Sequence, residues 1–92
     1  MLSPAADLSS TYGFTSYEVR NAIGHAKNVG WSEIARLAGV KLARREEHIQ
    51  HAIEADRAGF SYSASRHQDR ADCAEASAAL LDHAARVAFA SV

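Results

Sequence analysis

The sequence predicts an all-α domain of four helices, and three observations carry that expectation. A single proline, Pro4, stands near the start of the 92 residues, and alanine, which loses least on entering a helix, recurs throughout. No stretch combines β-branched residues with the strict alternation of a half-buried strand. Apolar residues instead recur at helical spacing between recognisable caps and glycine stops. A chain of this length buries about 60–65% of its unfolded surface, so it has one modest core, and pairing with a second copy would enlarge it.

Met1 to Gly13 holds Pro4, three serines and few large apolar residues, and reads as a flexible arm over 1–13. Thr15 and Glu18 then form a capping box, with Phe14 and Val19 at the positions of a hydrophobic staple. Helix 1 is expected from Ser16 to near Asn28, with Val19, Ile23 and Ala26 facing inward.

Gly30 to Val40 predicts a short second helix with Trp31, Ile34, Ala35, Leu37 and Ala38 on its apolar face. Glu33 suits the dipole of its first turn, and Gly39 can take the left-handed conformation that ends a helix. A third helix is expected from Lys41 to Arg57 or Ala58. Its Leu42, Ile49 and Ile53 share an arc of about 40°. Gly59 is placed as its C′ residue, with Phe60 folding back on the last turn. These three helices make a unit over 14–60.

The remainder, 61–92, reads as a polar connector and a long helix from Arg66 to about Phe89, with Ser65 and Gln68 as a capping box. Gln68, Asp72, Glu75, Asp82, His83 and Arg86 gather on one side. Small residues cover the opposite face, where Ala74, Ala78, Leu81, Ala85 and Ala88 are the expected homodimer interface. Cys73 reads as a small buried residue of that face. Trp31 reads as a core anchor, and Tyr12, Phe14, Tyr17, Phe60, Tyr62 and Phe89 as the remaining bulk of the core.

The net charge of −1 conceals an uneven distribution. Val19 to Arg45 has six basic residues against one acid, whereas from Glu46 onward eight acids face four arginines. A basic centre beside an acidic remainder is the pattern of a chain that meets an anionic partner through one part only. It is equally the pattern of two ordinary solvated faces.

The run Gly30-Trp31-Ser32-Glu33-Ile34-Ala35-Arg36-Leu37-Ala38-Gly39-Val40 resembles the start of a helix-turn-helix. It is most similar to small actinobacterial DNA-binding domains and sigma-factor region 4-like modules, over roughly residues 18 to 53. The resemblance implies a small Ala35 beneath the recognition helix, a turn at Gly39 and Val40 as a plug between helices. It also implies major-groove base contacts from Lys41, Arg44, His48 and His51. Arg20, Lys27, Ser32, Arg36 and Arg45 would hold phosphates.

Two positions depart from that pattern. Lys41 stands where a serine or threonine would cap the recognition helix, and lysine cannot accept amide bonds. Arg45 and Glu46 stand where an apolar or small residue is usual. If Gly39 does not turn the chain, Trp31 to Arg57 becomes one helix with Ile34, Ala38, Leu42, Ile49 and Ile53 on one seam. The function expected is therefore a dimeric DNA-binding protein, a transcriptional regulator or mobile-element accessory factor. The alternative is a helical protein–protein interaction module, such as an adaptor, antitoxin-like partner or assembly subunit. A larger protein partner fits either.

No cofactor is expected. His48 and His51 can share a helix face, but spacing fixes no third metal ligand. No nucleophile–base pair or phosphate-binding glycine loop is legible, so no enzyme is expected. A single cysteine, no membrane-length apolar run and no signal-peptide pattern give a cytoplasmic expectation.

Overall fold

Thr15 opens the first helix as the sequence requires. Its Oγ1 accepts from the amide of Glu18 at 3.2 Å, and the Glu18 carboxylate accepts from the amide of Thr15 at 3.1 Å. Both halves of the capping box are formed. The computed structural model describes residues 12–90, which contain three helices and no strand. They are α1 (Ser16–Val29), α2 (Trp31–Arg57) and α3 (Ser61–Phe89). The arm expected over 1–13 lies outside the described residues, apart from Tyr12 and Gly13.

The sharp change of direction falls at Gly30, one residue between α1 and α2. Gly30 has φ 88° and ψ 167°, a region essentially reserved for glycine. Its N–H donates to the Ala26 carbonyl at 2.9 Å, and its carbonyl accepts from Ile34 at 3.2 Å. One glycine thus closes α1 and opens α2.

The turn expected at Gly39 is not formed. Gly39 lies inside α2 and is absent from the positive-φ glycines Gly13, Gly30 and Gly59. The expected second and third helices are therefore one helix of 27 residues, and the fold has three described helices where four were expected. The physical reason is a balance of two small terms. A glycine inside a helix costs about 1 kcal/mol. Breaking there would leave the next helix without a cap, because Lys41 cannot supply one. Continuity also keeps Ile34, Ala38, Leu42 and Ile49 along one side of the helix, beside α3.

Gly59 ends α2 as expected. The Phe60 N–H reaches the Ala55 carbonyl at 2.8 Å and the Gly59 N–H reaches that of Asp56 at 3.0 Å, the paired bonds of a Schellman motif. The hydrophobic half of the motif is missing, since Phe60 is exposed. α3 starts directly at Ser61, so Ser65 sits within the helix and caps nothing. Gln68 donates to Asp72 instead.

α2 and α3 form a long antiparallel hairpin, and α1 packs against α3 near its C-terminal end. The described protein measures 50 × 26 × 21 Å. Its radius of gyration of 15.0 Å exceeds the roughly 12 Å of a compact chain this size. Helix length explains the elongation, since 27 and 29 residues at about 1.5 Å each run roughly 40–44 Å, and small alanine side chains keep the cross-section narrow. Ala26, Ile34, Ala84 and Ala85 form the core cluster, with Ala22, Ile23, Leu81, Ala88 and Phe89 packed against it.

Several expected core residues lie elsewhere. Trp31 is 57% exposed and meets Phe89 edge-on, ring centroids 5.9 Å apart. Tyr17, Phe60 and Tyr62 are exposed, as are Ala35 and Cys73. Three helices cover only part of one another's circumference, so each keeps an outer face. Conversely, Ala74, Ala78 and Ala85 are buried and Leu81 and Ala88 half-buried within the protomer. The expected dimer face of the last helix is spent on α1 and α2.

Candidate functional site

The α2–α3 seam runs beneath two unlike flanks. On one, Ala38 and Leu42 of α2 face Glu75, Ala78, Ala79, Asp82 and Arg86 of α3 around a hollow of about 420 Å³ that Tyr12 also lines. Further toward the hairpin loop, Ile49, Ala52, Ile53, Ala64, Gln68 and Asp56 surround a second, of about 300 Å³. Leu42 is 49% and Ile53 40% exposed. The α2 side of this flank is apolar along most of its length, and Glu75, Asp82 and Arg86 of α3 border it.

The other flank is basic. Lys41, Arg44 and His48 follow one another at three- and four-residue spacing along α2, on one face of the helix. With Arg70, Cys73, Ala74 and Ser77 of α3 they line a hollow of about 190 Å³. No acidic side chain among the described residues lines it. Among the described residues, no carboxylate stands in salt-bridge contact with Lys41, Arg44 or Arg70.

Next to this hollow, three histidines meet. The Nδ1 atoms of His48 and His67 are 3.2 Å apart, with ring centroids 5.4 Å apart. The His51 ring centroid is 5.2 Å from that of His67. His67 is half-buried, and its pKa is pushed below the ordinary 6.5. Desolvation is the largest cause, followed by the charges of His51, His48 and Arg70. Among the described residues, no group of three or more His, Cys, Asp or Glu is arranged to hold a metal ion.

Of the side chains expected at a DNA surface, Lys41, Arg44 and His48 come together, with His51 beside them. The others are dispersed. Arg20 and Lys27 are exposed on α1. Ser32 lies in the first turn of α2, and Arg36 is held by Glu33 through two hydrogen bonds, one of 3.0 Å from Nε. That bond lowers the Glu33 pKa and raises that of Arg36. Arg45 pairs with Glu46 at 2.7 Å and approaches Glu75 at 3.9 Å, across the seam.

Arg70 and His67 were missed from the sequence, because they sit in the acidic remainder and alone in their segment. One signal was available. Folding back about Gly59 sets residues equally distant from it opposite one another, which matches His48 with Arg70 and His51 with His67.

Among the described residues, no helix is long and apolar enough to cross a membrane. No protein-family model, curated protein or solved structure matches the chain.

Proposed function

We propose that this chain is a helical interaction module, an assembly subunit that pairs with a second copy of itself along the apolar flank of the α2–α3 hairpin. One observation carries the reading. Ile34 is the large side chain that the fold buries completely, while Leu42 and Ile53 stay exposed along one flank. Exposed apolar area costs about 25 cal/mol per Å², so a covering surface of like chemistry is stabilising. A stable interface takes roughly 800 Å² per partner, so the second copy would cover the flank well beyond Leu42 and Ile53. The same patch on both copies would close a two-fold dimer.

Light scattering coupled to size exclusion tests the pairing. The expected result is a dimer at tens of micromolar that Leu42→Glu with Ile53→Glu converts to a helical monomer. A parent chain that is monomeric at that concentration would remove the reading.

A second reading, a DNA-binding protein, is favoured by the convergence of Lys41, Arg44, His48 and Arg70 on one hollow that, among the described residues, no acidic side chain lines. Without a turn at Gly39, such a protein would lay the side of the hairpin along the duplex. Phosphate contacts would then outweigh base contacts. Binding through about three phosphates would fall with a log–log salt slope near −3. A mobility-shift series separates the readings, since no shift at low ionic strength removes this one.

A further inference from the structure

We infer that the hollow framed by Lys41, Arg44, His48 and Arg70 is a binding site for a phosphate-type oxyanion. The inference rests on the same side chains as the DNA-binding reading but requires no duplex. A phosphate group is the chemistry shared by a nucleic-acid backbone and a free phosphorylated ligand.

The frame is built across two helices. Lys41, Arg44 and His48 approach from α2, and Arg70 and Ser77 from α3, above the short side chain of buried Ala74. Alanine at that place leaves the hollow of about 190 Å³ that a larger residue would fill. The donor set matches an oxyanion in kind. Guanidinium groups offer paired N–H donors to two oxygens, an ammonium supplies a point charge, and a serine hydroxyl adds a neutral donor. The His48 Nδ1 is engaged with His67, which leaves Nε2 as the ring nitrogen available to a ligand.

Charge balance points the same way. Arg36, Arg45 and Arg86 each have a carboxylate within salt-bridge distance. Among the described residues Lys41, Arg44 and Arg70, like Arg20, Lys27, Arg57 and Arg66, have none, but the first three converge on one hollow. Glu47, adjacent in sequence to His48, does not line it, and Asp69 lines a neighbouring hollow with Tyr62, Arg66 and Arg70 itself, without salt-bridge contact to Arg70. Beside the hollow, the pKa of His67 is lowered first by desolvation and then by repulsion from His51, His48 and Arg70. A phosphate of charge about −1.5 to −2 would relieve that repulsion, whereas a divalent cation would add to it.

The test is a titration of the full chain at neutral pH, followed by amide chemical shifts, with three probes. These are inorganic phosphate, adenosine monophosphate and a short DNA duplex. Arg70→Gln is expected to weaken the phosphate-bearing probe by about tenfold, the value of a charged hydrogen bond. Ser77→Ala serves as a milder second variant, and Arg57→Gln, at the C-terminal end of α2 and outside the hollow, should leave binding unchanged.

Saturable binding of inorganic phosphate or the mononucleotide, weakened about tenfold in Arg70→Gln, establishes the site for a free ligand. Duplex binding alone with the same sensitivity assigns the site to a nucleic-acid backbone. Phosphate binding without duplex binding would sustain the site and remove the DNA reading. Duplex binding indifferent to Arg70→Gln would sustain the DNA reading and overturn the site. Absence of saturable binding by all three probes overturns it as well.

Discussion

His48 and His67 face each other across the α2–α3 seam with their Nδ1 atoms 3.2 Å apart, so one ring must donate and the other accept. Two protonated rings cannot make that bond. His51 from α2 and Arg70 from α3 add positive charge to the same place, and Glu54 offsets part of it through His51 at 3.6 Å. Desolvation of the half-buried ring, and then those charges, hold the folded pKa of His67 below its unfolded value of 6.5. Between those two values the unfolded chain binds more protons, so stability falls as pH drops from above 6.5 through the folded pKa. Urea midpoints at pH 7.5 and 5.5 should differ in that direction, and His67→Gln should shrink the difference. An unchanged difference in the variant would place the proton uptake elsewhere.

Ile34 is 1% exposed, in a core otherwise furnished by alanines. Truncating it removes the main large contact between α2 and the α1–α3 cluster. Ile34→Ala is expected to cost about 2–5 kcal/mol, a large share of what so small a domain has. Thermal unfolding followed by circular dichroism would show it, and a loss below 1 kcal/mol would mean that the cluster does not hold the helices together.

The capping box supplies a smaller and more local test. Thr15→Ala removes the oxygen that satisfies the Glu18 amide and should cost about 1 kcal/mol. Thr15→Ser, which keeps the hydroxyl, should cost much less. Equal losses in the two variants would show that the methyl group matters and the hydrogen bond does not.

What the sequence made legible was local. The Thr15–Glu18 box and the Gly59 stop depend on residues within one turn of each other, and both formed as expected. The choice at Gly39 was not local. It turns on whether α3 lies alongside to reward an unbroken seam, and a lone glycine is too weak a signal to decide that. The site followed the same division. Lys41, Arg44 and His48 were readable as a stripe on one helix, whereas Arg70 and His67 belong to it only once the hairpin has closed. The exposure of Trp31 and Cys73 was hidden for a related reason. Apolar spacing marks a face but not whether a neighbour covers it.

Gly30 and Gly39 give the most discriminating prediction, because alanine should act with opposite sign at the two. Gly30 holds φ 88° and ψ 167°, and nothing lies within 4 Å of a Cβ built there. The penalty at Gly30 is thus purely conformational, and Gly30→Ala should destabilise by about 1–3 kcal/mol. Gly39 also has open space around a Cβ, but its backbone is helical and exposed. Gly39→Ala should therefore stabilise by up to about 1 kcal/mol, through helix propensity and a less flexible unfolded chain. A turn at Gly39 with positive φ would reverse that sign, since alanine would be strained there. Chemical denaturation of the two single variants, at matched protein concentration so that pairing does not confuse the comparison, reads both signs directly. Destabilisation at Gly39 would restore the turn and with it the helix-turn-helix geometry; stabilisation at Gly39 with loss at Gly30 fixes the direction change one helix turn before Ile34 and leaves α2 unbroken.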